Sequence, residues 1–551
     1  MTDDRAGHGT TRTGGADRTR AVPLAALLVV LLALAVRLAG ISQEGRFDEY
    51  YHLLAAEGWR TTGTLSIGDG GIYDRAAGFT RFVVAPLLGL GSGLDPIVAA
   101  RLASLAAGVG VVLALFLWTR AVAGPVAAGV AAAFAIFWPD GILVSQFVRF
   151  YALQGLLFFV LAALAYTLVE GRVRGAAAVG TGLAILVLLA VGTHLTPVTI
   201  VGAAGIALWA VLFRLVPACL ERGRAGQRIL GALALAGVAV LAVAWATGLL
   251  GAAWAEFRWA PDWIAEHRDS LGFYHRKLGE NYALLWPLTP VLVLLAVAWR
   301  PRPALFCITI FGVGVALHSL AGMKNLRYIA HLMPFLFAVW GMAAAAVWRA
   351  GAGLLARGAG DGLRAVDPRL ARGLLVWPVV AAAVLFAAAG NPAFREALAY
   401  ARGNILPERG IHWDVAAPAI QPYADAATVV ASSRELQSMW HLGRTDVVPS
   451  ASRMSELPDP REDFSIDPRT ALPVVATPDG MAELMACTPD GILITPTEQP
   501  ELTEELLSAV PAGTRIGAVE DLPPAGRLDV TRWTTATPGG DCAAVRTALG
   551  R

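Results

Sequence analysis

Lysine is almost missing from this chain: among 551 residues only Lys277 and Lys324 are lysine, so nearly all positive charge is arginine. Neither lysine follows a glycine, so the Gly-Lys-Ser/Thr core of a phosphate-binding loop is absent. That excludes an ATP-driven pump with its motor on this chain. Charge of either sign is scarce as well. Only 16% of residues are charged and 56% are hydrophobic, against roughly 25% charged in soluble globular chains. A net charge of +2 gives no reason to expect nucleic acid or another polyanion as partner. The cysteines are Cys219, Cys307, Cys487 and Cys542, with no Cys-x-x-Cys pair, and no His-Glu-x-x-His occurs. No metal-ligand cluster is evident and no cofactor is assigned, although a divalent ion near an acidic residue stays open.

What the chain has in quantity is apolar sequence in membrane-length runs. Ala21 to Ile41 is long enough to cross a bilayer, which takes about 20 apolar residues, and exceeds a secretory signal core of about 7–15. It reads as a retained first helix behind a disordered cytoplasmic tail, residues 1–20. Periodicity and bounding charges predict eleven spans, near 21–41, 97–118, 121–138, 150–170, 175–193, 197–214, 229–254, 283–299, 303–321, 328–348 and 373–390. The third and fourth lie close together, so a re-entrant pair or a merged count is an alternative. Short connectors rich in arginine and nearly free of acids alternate with longer mixed loops. The positive-inside tendency then puts the N-terminus in the cytoplasm and the C-terminus outside. A plasma (inner) membrane protein with a transmembrane domain over 21–390 is expected, with a large first outer loop at 42–96. From 391 to 551 the composition is that of a soluble extracytoplasmic α/β domain, with β-rich runs at Thr428–Ser432, Leu472–Thr477 and Gly491–Thr495. In an oxidising compartment, a disulfide between Cys487 and Cys542 is expected there.

The most informative string is Gly45-Arg46-Phe47-Asp48-Glu49-Tyr50-Tyr51, directly after the first span. Adjacent carboxylates at a membrane exit are expensive and mark a functional site by default. The bland reading is a loop pair favouring a helix dipole. On the same side lie Arg149 and Tyr151, His194 at the end of the fifth span, and Lys324, Arg327 and Tyr328 before the tenth. Trp254, Trp259 and Trp263 in the 255–282 region read as interface anchors. A sugar on a lipid phosphate already has a good leaving group. Its transfer needs a base for the acceptor hydroxyl and a cation for the departing phosphate, which this inventory offers.

In Phe47-Asp48-Glu49-Tyr50, Arg101-Leu-Ala-Ser-Leu, Val148-Arg149-Phe150-Tyr151-Ala-Leu, Thr193-His194 and Arg327-Tyr328-Ile-Ala-His-Leu-Met-Pro334, the chain resembles the GT-C superfamily of polyprenyl-phosphate-sugar-dependent glycosyltransferases. Within it, the resemblance is to the protein O-mannosyltransferase and lipid A aminoarabinose transferase group, glycosyltransferase family 39 and relatives, over roughly residues 20–350. The resemblance implies a polytopic all-α membrane protein of GT-C type. It implies an inverting transfer from a polyprenyl-phosphate-linked donor to an acceptor glycan, lipid or protein, with membrane lipids around it. By the same resemblance Asp48 is the catalytic base with Glu49 as its neighbour, and Arg327, Lys324 and Arg149 are candidates for the donor phosphate. Tyr151, His194 and Tyr328 would line the site. Two other classes remain: a secondary transporter or flippase, which would show charged residues in mid-span and paired halves with broken helices, neither seen in these nearly charge-free spans, and a non-catalytic scaffold.

Overall fold

Helices dominate the computed structural model, which describes residues 15–68, 70–90, 93–261, 264–358, 390–402, 411–461, 464–519 and 527–550. The chain opens with α1 (Gly15–Leu38), so helix begins inside the expected tail, and its apolar part is Val22–Leu38. Helix α2 (Phe47–Thr62) follows and ends at Gly63, whose φ of 76° is the left-handed conformation that glycine adopts at no steric cost. The hairpin β1 (Ser66–Ile67) and β2 (Gly71–Ile72) completes this part of the first loop.

The bundle comprises α3 (Pro96–Ala123), α4 (Pro125–Ile136), α5 (Pro139–Ser145), α6 (Tyr151–Val169), α7 (Ala176–Leu195), α8 (Val198–Ala210), α9 (Arg224–Ala246), α10 (Phe273–Asn281), α11 (Leu285–Trp299), α12 (Pro301–Leu320) and α13 (Met333–Gly358). Among the described residues seven helices are long and apolar enough to cross a membrane, and up to nine if each bent pair counts as one span. The protein is therefore a multi-pass membrane protein. The expected eleventh span, 373–390, lies almost wholly outside the described residues. The core packs α13 on α4, α8 on α12, and α3 on both α4 and α6. Aromatic side chains fill it, with Phe306, Tyr166 and Trp209 in mutual contact.

Two spans are broken, contrary to the expectation of uninterrupted ones. The α4–α5 pair bends by 65° and the α10–α11 pair by 96°. The first break has a local cause. Pro139 lacks an amide hydrogen and pushes Trp138 into an extended conformation, φ −92° and ψ 114°. The carbonyls this strands are met by Arg37 of α1, which donates to Ala135 O at 2.9 Å, to Ile136 O at 3.4 Å and to Ser145 Oγ at 3.1 Å. An arginine buried in the bundle is tolerable only when so engaged. Gly108 lets α3 come close enough, since a Cβ there would sit 1.9 Å from Ser145 Oγ.

After α14 (Pro392–Ala401) comes an α/β region with α15 (Trp413–Ala426), α16 (Glu435–Leu442) and α17 (Pro478–Cys487). Its four-stranded sheet has the order β3 (Val429–Ser432), β7 (Asp490–Pro496), β9 (Leu528–Thr535), β8 (Thr514–Ala518). β3 runs parallel to β7, with Val430 opposite Ile492, whereas β9 is antiparallel to both its neighbours. A three-stranded sheet of β4 (Val448–Pro449), β6 (Pro473–Val475) and β5 (Phe464–Ile466) lies beside it. Buried β-branched and aliphatic residues on both faces of β3 and β7 explain why those strands read as continuous apolar runs. Cys487 and Cys542 form a disulfide, with Cα atoms 5.6 Å apart.

Candidate active site

Consecutive residues on a helix diverge by about 100°, and the first turn of α2 uses that divergence to send Asp48 and Glu49 to different environments. Glu49 points into the protein and is fully buried. Its carboxylate accepts from Arg101 Nε at 2.9 Å and Nη2 at 2.8 Å, a bidentate pair. It also accepts from the amides of Val148 and Arg46, both at 3.0 Å. Arg101 spends its remaining donors on the carbonyls of Ile41 at 2.7 Å, Gln43 at 2.5 Å and Glu44 at 3.3 Å. This pair sews together the exit of α1, the start of α2, the α3 helix and the 146–150 turn. Glu49 is thus not brought into the group that surrounds Asp48.

Asp48 faces the other way and is partly exposed. Its Oδ2 lies 2.8 Å from Arg149 Nη2 and 3.0 Å from Arg327 Nη1. Arg149 comes from the turn between α5 and α6, where its carbonyl accepts from Ser104 Oγ at 3.2 Å. Its Nη1 donates to Tyr73 Oη at 2.9 Å and faces His52 Nε2 at 3.5 Å. A guanidinium can only donate, so Nε2 of His52 is the acceptor and Nδ1 carries the proton, donated to Thr80 Oγ1 at 2.8 Å. Arg327 sits in the short turn Leu326–Ile329, with its guanidinium 5.7 Å and 5.6 Å from the ring centroids of Tyr151 and Tyr328. These two rings are 6.2 Å apart.

The electrostatics follow from this packing. Burial alone would raise the Asp48 pKa, but the guanidiniums of Arg149 and Arg327 outweigh it and hold the carboxyl well below the usual range. The exposed Arg75 adds to that field. Burial, and then Arg149 and Arg75, keep His52 neutral. Burial opposes the charge on Arg149 and Arg327, yet Asp48 together with nearby tyrosine hydroxyls raises both above the ordinary arginine value. The result is one ionised carboxylate under at least two committed cations, with a third within reach.

Of the other predicted residues, Tyr151 and Tyr328 belong to this group and two do not. Lys324 is buried away from it, with Nζ donating to Arg268 O at 2.7 Å and Ala321 O at 2.6 Å. It closes its own loop. His194 is exposed at the end of α7 against Gly78, and is not in the Asp48 group. The sequence reading passed over His52, Tyr73 and Arg75. His52 stood one turn beyond Asp48, a spacing that puts both on one helix face. Tyr73 and Arg75 carried no such signal, because the β1–β2 hairpin brings them in. Among the described residues no group of three or more His, Cys, Asp or Glu could hold a metal.

Neither a family model nor a curated protein sequence matches the chain. Solved structures do. ArnT from Cupriavidus metallidurans bound to undecaprenyl phosphate is similar at a TM-score of 0.56 with 15% identity, covering 96% of this chain and 100% of that one. The same protein in the apo state gives 0.54 at 15% identity, over 94% and 98%. The oligosaccharyltransferase AglB from Archaeoglobus fulgidus, in complex with an inhibitory peptide and a dolichol-phosphate, gives 0.51 at 14% identity, over 91% and 74%. This chain has the GT-C fold. At such identities the likeness is one of architecture: a helical membrane part followed by a C-terminal region containing sheets.

Proposed function

We propose that the protein is an inverting glycosyltransferase, moving a sugar from a polyprenyl phosphate to an acceptor hydroxyl on the extracytoplasmic face of the membrane. The observation that carries this reading is the Asp48 carboxylate between the guanidiniums of Arg149 and Arg327 at a membrane exit. The GT-C fold, shared with a protein solved with undecaprenyl phosphate and one solved with a dolichol-phosphate, supports it.

In this reading Asp48 accepts the proton of the acceptor hydroxyl as its oxygen attacks the anomeric carbon. The bond from that carbon to the carrier phosphate breaks, and the phosphate leaves as an anion without protonation. A single carboxylate suffices, unlike the opposed pair of glycoside hydrolysis. Arg149 and Arg327 hold the departing phosphate. The Nε of each is buried with no partner among the described residues, so both keep donors beyond those spent on Asp48. Arg75 is the third cation of this reading, Tyr151 and Tyr328 orient Arg327, and His52 with Tyr73 orients Arg149. A phosphate competes with Asp48 for the same guanidiniums, so donor binding loosens the carboxylate and raises its basicity. Glu49 acts through the scaffold, and Lys324 and His194 have no part in the chemistry.

The outside location of residues 391–551 is part of the proposal, as is their treatment as a separate domain after the 21–390 membrane part. The Cys487–Cys542 disulfide favours an oxidising compartment for them. The broken spans give a transporter reading one supporting observation. Against it, Arg37 already donates to the carbonyls of Ala135 and Ile136, so the first break is met from within the bundle. The test is transfer by purified protein from a panel of radiolabelled polyprenyl-phosphate sugars to glycan, lipid and peptide acceptors. Label in one acceptor with release of polyprenyl phosphate supports the reading. Movement of donor across vesicles without release contradicts it.

A further inference from the structure

The C-terminal α/β region reaches the Asp48 group through a run of direct contacts. Arg453 and Arg469 lie on that region, one in the short helix Ala451–Ser455 and one in the turn after β5. Each places its guanidinium carbon 5.7 Å from the ring centroid of Tyr51 on α2, and Arg453 is 5.4 Å from that of Phe47. Tyr51 stacks on Tyr73, with centroids 4.6 Å apart and planes at 15°. The Tyr73 hydroxyl accepts from Arg149, and Arg149 holds Asp48. Phe47 directly precedes Asp48 and Tyr51 follows it about one helical turn later, so the cations bear on the same turn that carries the carboxylate.

The two arginines are themselves fixed. Arg453 pairs with Glu435 at 2.6 Å and also lies 3.3 Å from Glu456 and 3.5 Å from Asp467. Arg469 pairs with Asp467 at 2.9 Å and Glu456 at 3.1 Å. A second contact, Tyr50 Oη with His441 Nε2 at 3.0 Å, joins α16 to α2 beside Glu44. The hairpin is joined too, by Ile72 N–H donating to Pro468 O at 3.1 Å. A region that only decorated the surface would have no need of a buried Arg453 and a half-buried Arg469 on these rings.

We propose that Arg453 and Arg469 are positioning residues, which set Arg149 against Asp48 through the stacked rings of Tyr51 and Tyr73. The C-terminal region is then part of the device that aims the base, not an appendage. This rests on the transferase reading for its kinetic consequence but not for its structural one.

The test uses full-length protein in detergent or nanodiscs. Arg469→Met is the first variant, because Arg453 still lies within reach of both acids that Arg469 pairs with. A fall in kcat of about 2- to 30-fold is expected with the donor KM changed less than twofold, the span from an exposed to a desolvated cation–π contact, and Arg469→Lys should restore most of it. Tyr73→Phe keeps the stack but removes the acceptor for Arg149. Combined with Arg469→Met it should add little further loss, since both cut one run of contacts. Unchanged kcat in Arg469→Met, or full additivity of the pair, overturns the proposal. Hydrogen exchange supplies a readout free of activity: amides of the 146–151 turn should exchange faster in Arg469→Met than in wild type, and equal rates also overturn it. If Arg469→Met does not fold, Tyr51→Leu, which keeps apolar burial but removes the ring, must show the same exchange and kinetic effects. Wild type that transfers no sugar counts against the transferase reading, and the exchange result then decides the positioning role by itself.

Discussion

At the scale of single residues, two adjacent acids have opposite duties, and neither duty is visible in their order. Glu49 is spent on Arg101 and two backbone amides. Glu49→Gln should therefore cost about 3–5 kcal/mol, the price of breaking a buried ion pair, and appear as a large drop in melting temperature measured by scanning fluorimetry. Arg327→Ala should weaken donor binding by about 10- to 100-fold, corresponding to the roughly 1.5–3 kcal/mol of a charged hydrogen bond; calorimetric titration with polyprenyl phosphate measures it. The pH behaviour follows from the depressed Asp48 pKa. A carboxyl lowered by cations stays ionised to lower pH, so the acid limb of kcat/KM should lie below the ordinary carboxylate range of about 4. Because bound phosphate competes for those cations, the acid limb of kcat should lie above that of kcat/KM. By linkage, the same pairing contributes stability above the unfolded Asp value, and this is lost as pH falls through the lower folded value. The sequence singled out Asp48, Arg149 and Arg327 because charge at a membrane exit is costly. It also picked Lys324 and His194, which the structure does not bring to Asp48, because a basic residue near a span end looks the same in sequence wherever its donors go.

At the scale of elements, the start of α2 is where the account concentrates. It is held from below by the Arg101–Glu49 pair and from above by the C-terminal aromatic and cation contacts. Its partly exposed acid, Asp48, is left facing Arg149 and Arg327. The broken α4–α5 span was partly legible, since Trp138-Pro139 interrupts an apolar run, but its stabilisation by Arg37 from another helix was not. Periodicity along one segment carries no information about which distant side chain will meet a stranded carbonyl. The C-terminal strands were legible as short β-rich runs, while their mixed parallel and antiparallel order depends on pairings far apart in sequence. Cys487→Ser should lower stability by about 2–5 kcal/mol, as expected for loss of a native disulfide in a small domain. Chemical unfolding followed in the C-terminal region checks this, and no change would mean that the bond does not constrain the chain.

At the scale of the whole molecule, a helical bundle and an α/β region converge on one group of side chains drawn from α2, the first-loop hairpin, the 146–151 turn and the Leu326–Ile329 turn. These segments are separated by up to 279 residues, the distance from Asp48 to Arg327. Hydropathy displays the bundle well, because lipid demands long apolar runs. It is silent on the convergence, which arises only when the runs pack. The central claim is that Asp48 is the base, and the most direct measurement compares wild type with Asp48→Asn in a radiolabelled transfer assay, with melting temperature followed in parallel. The substitution keeps the shape of the side chain and removes its charge. The account predicts that transfer falls by about 100-fold or more, the scale of a lost general base, while the fold and donor binding persist. Transfer by Asp48→Asn at the wild-type rate would contradict it.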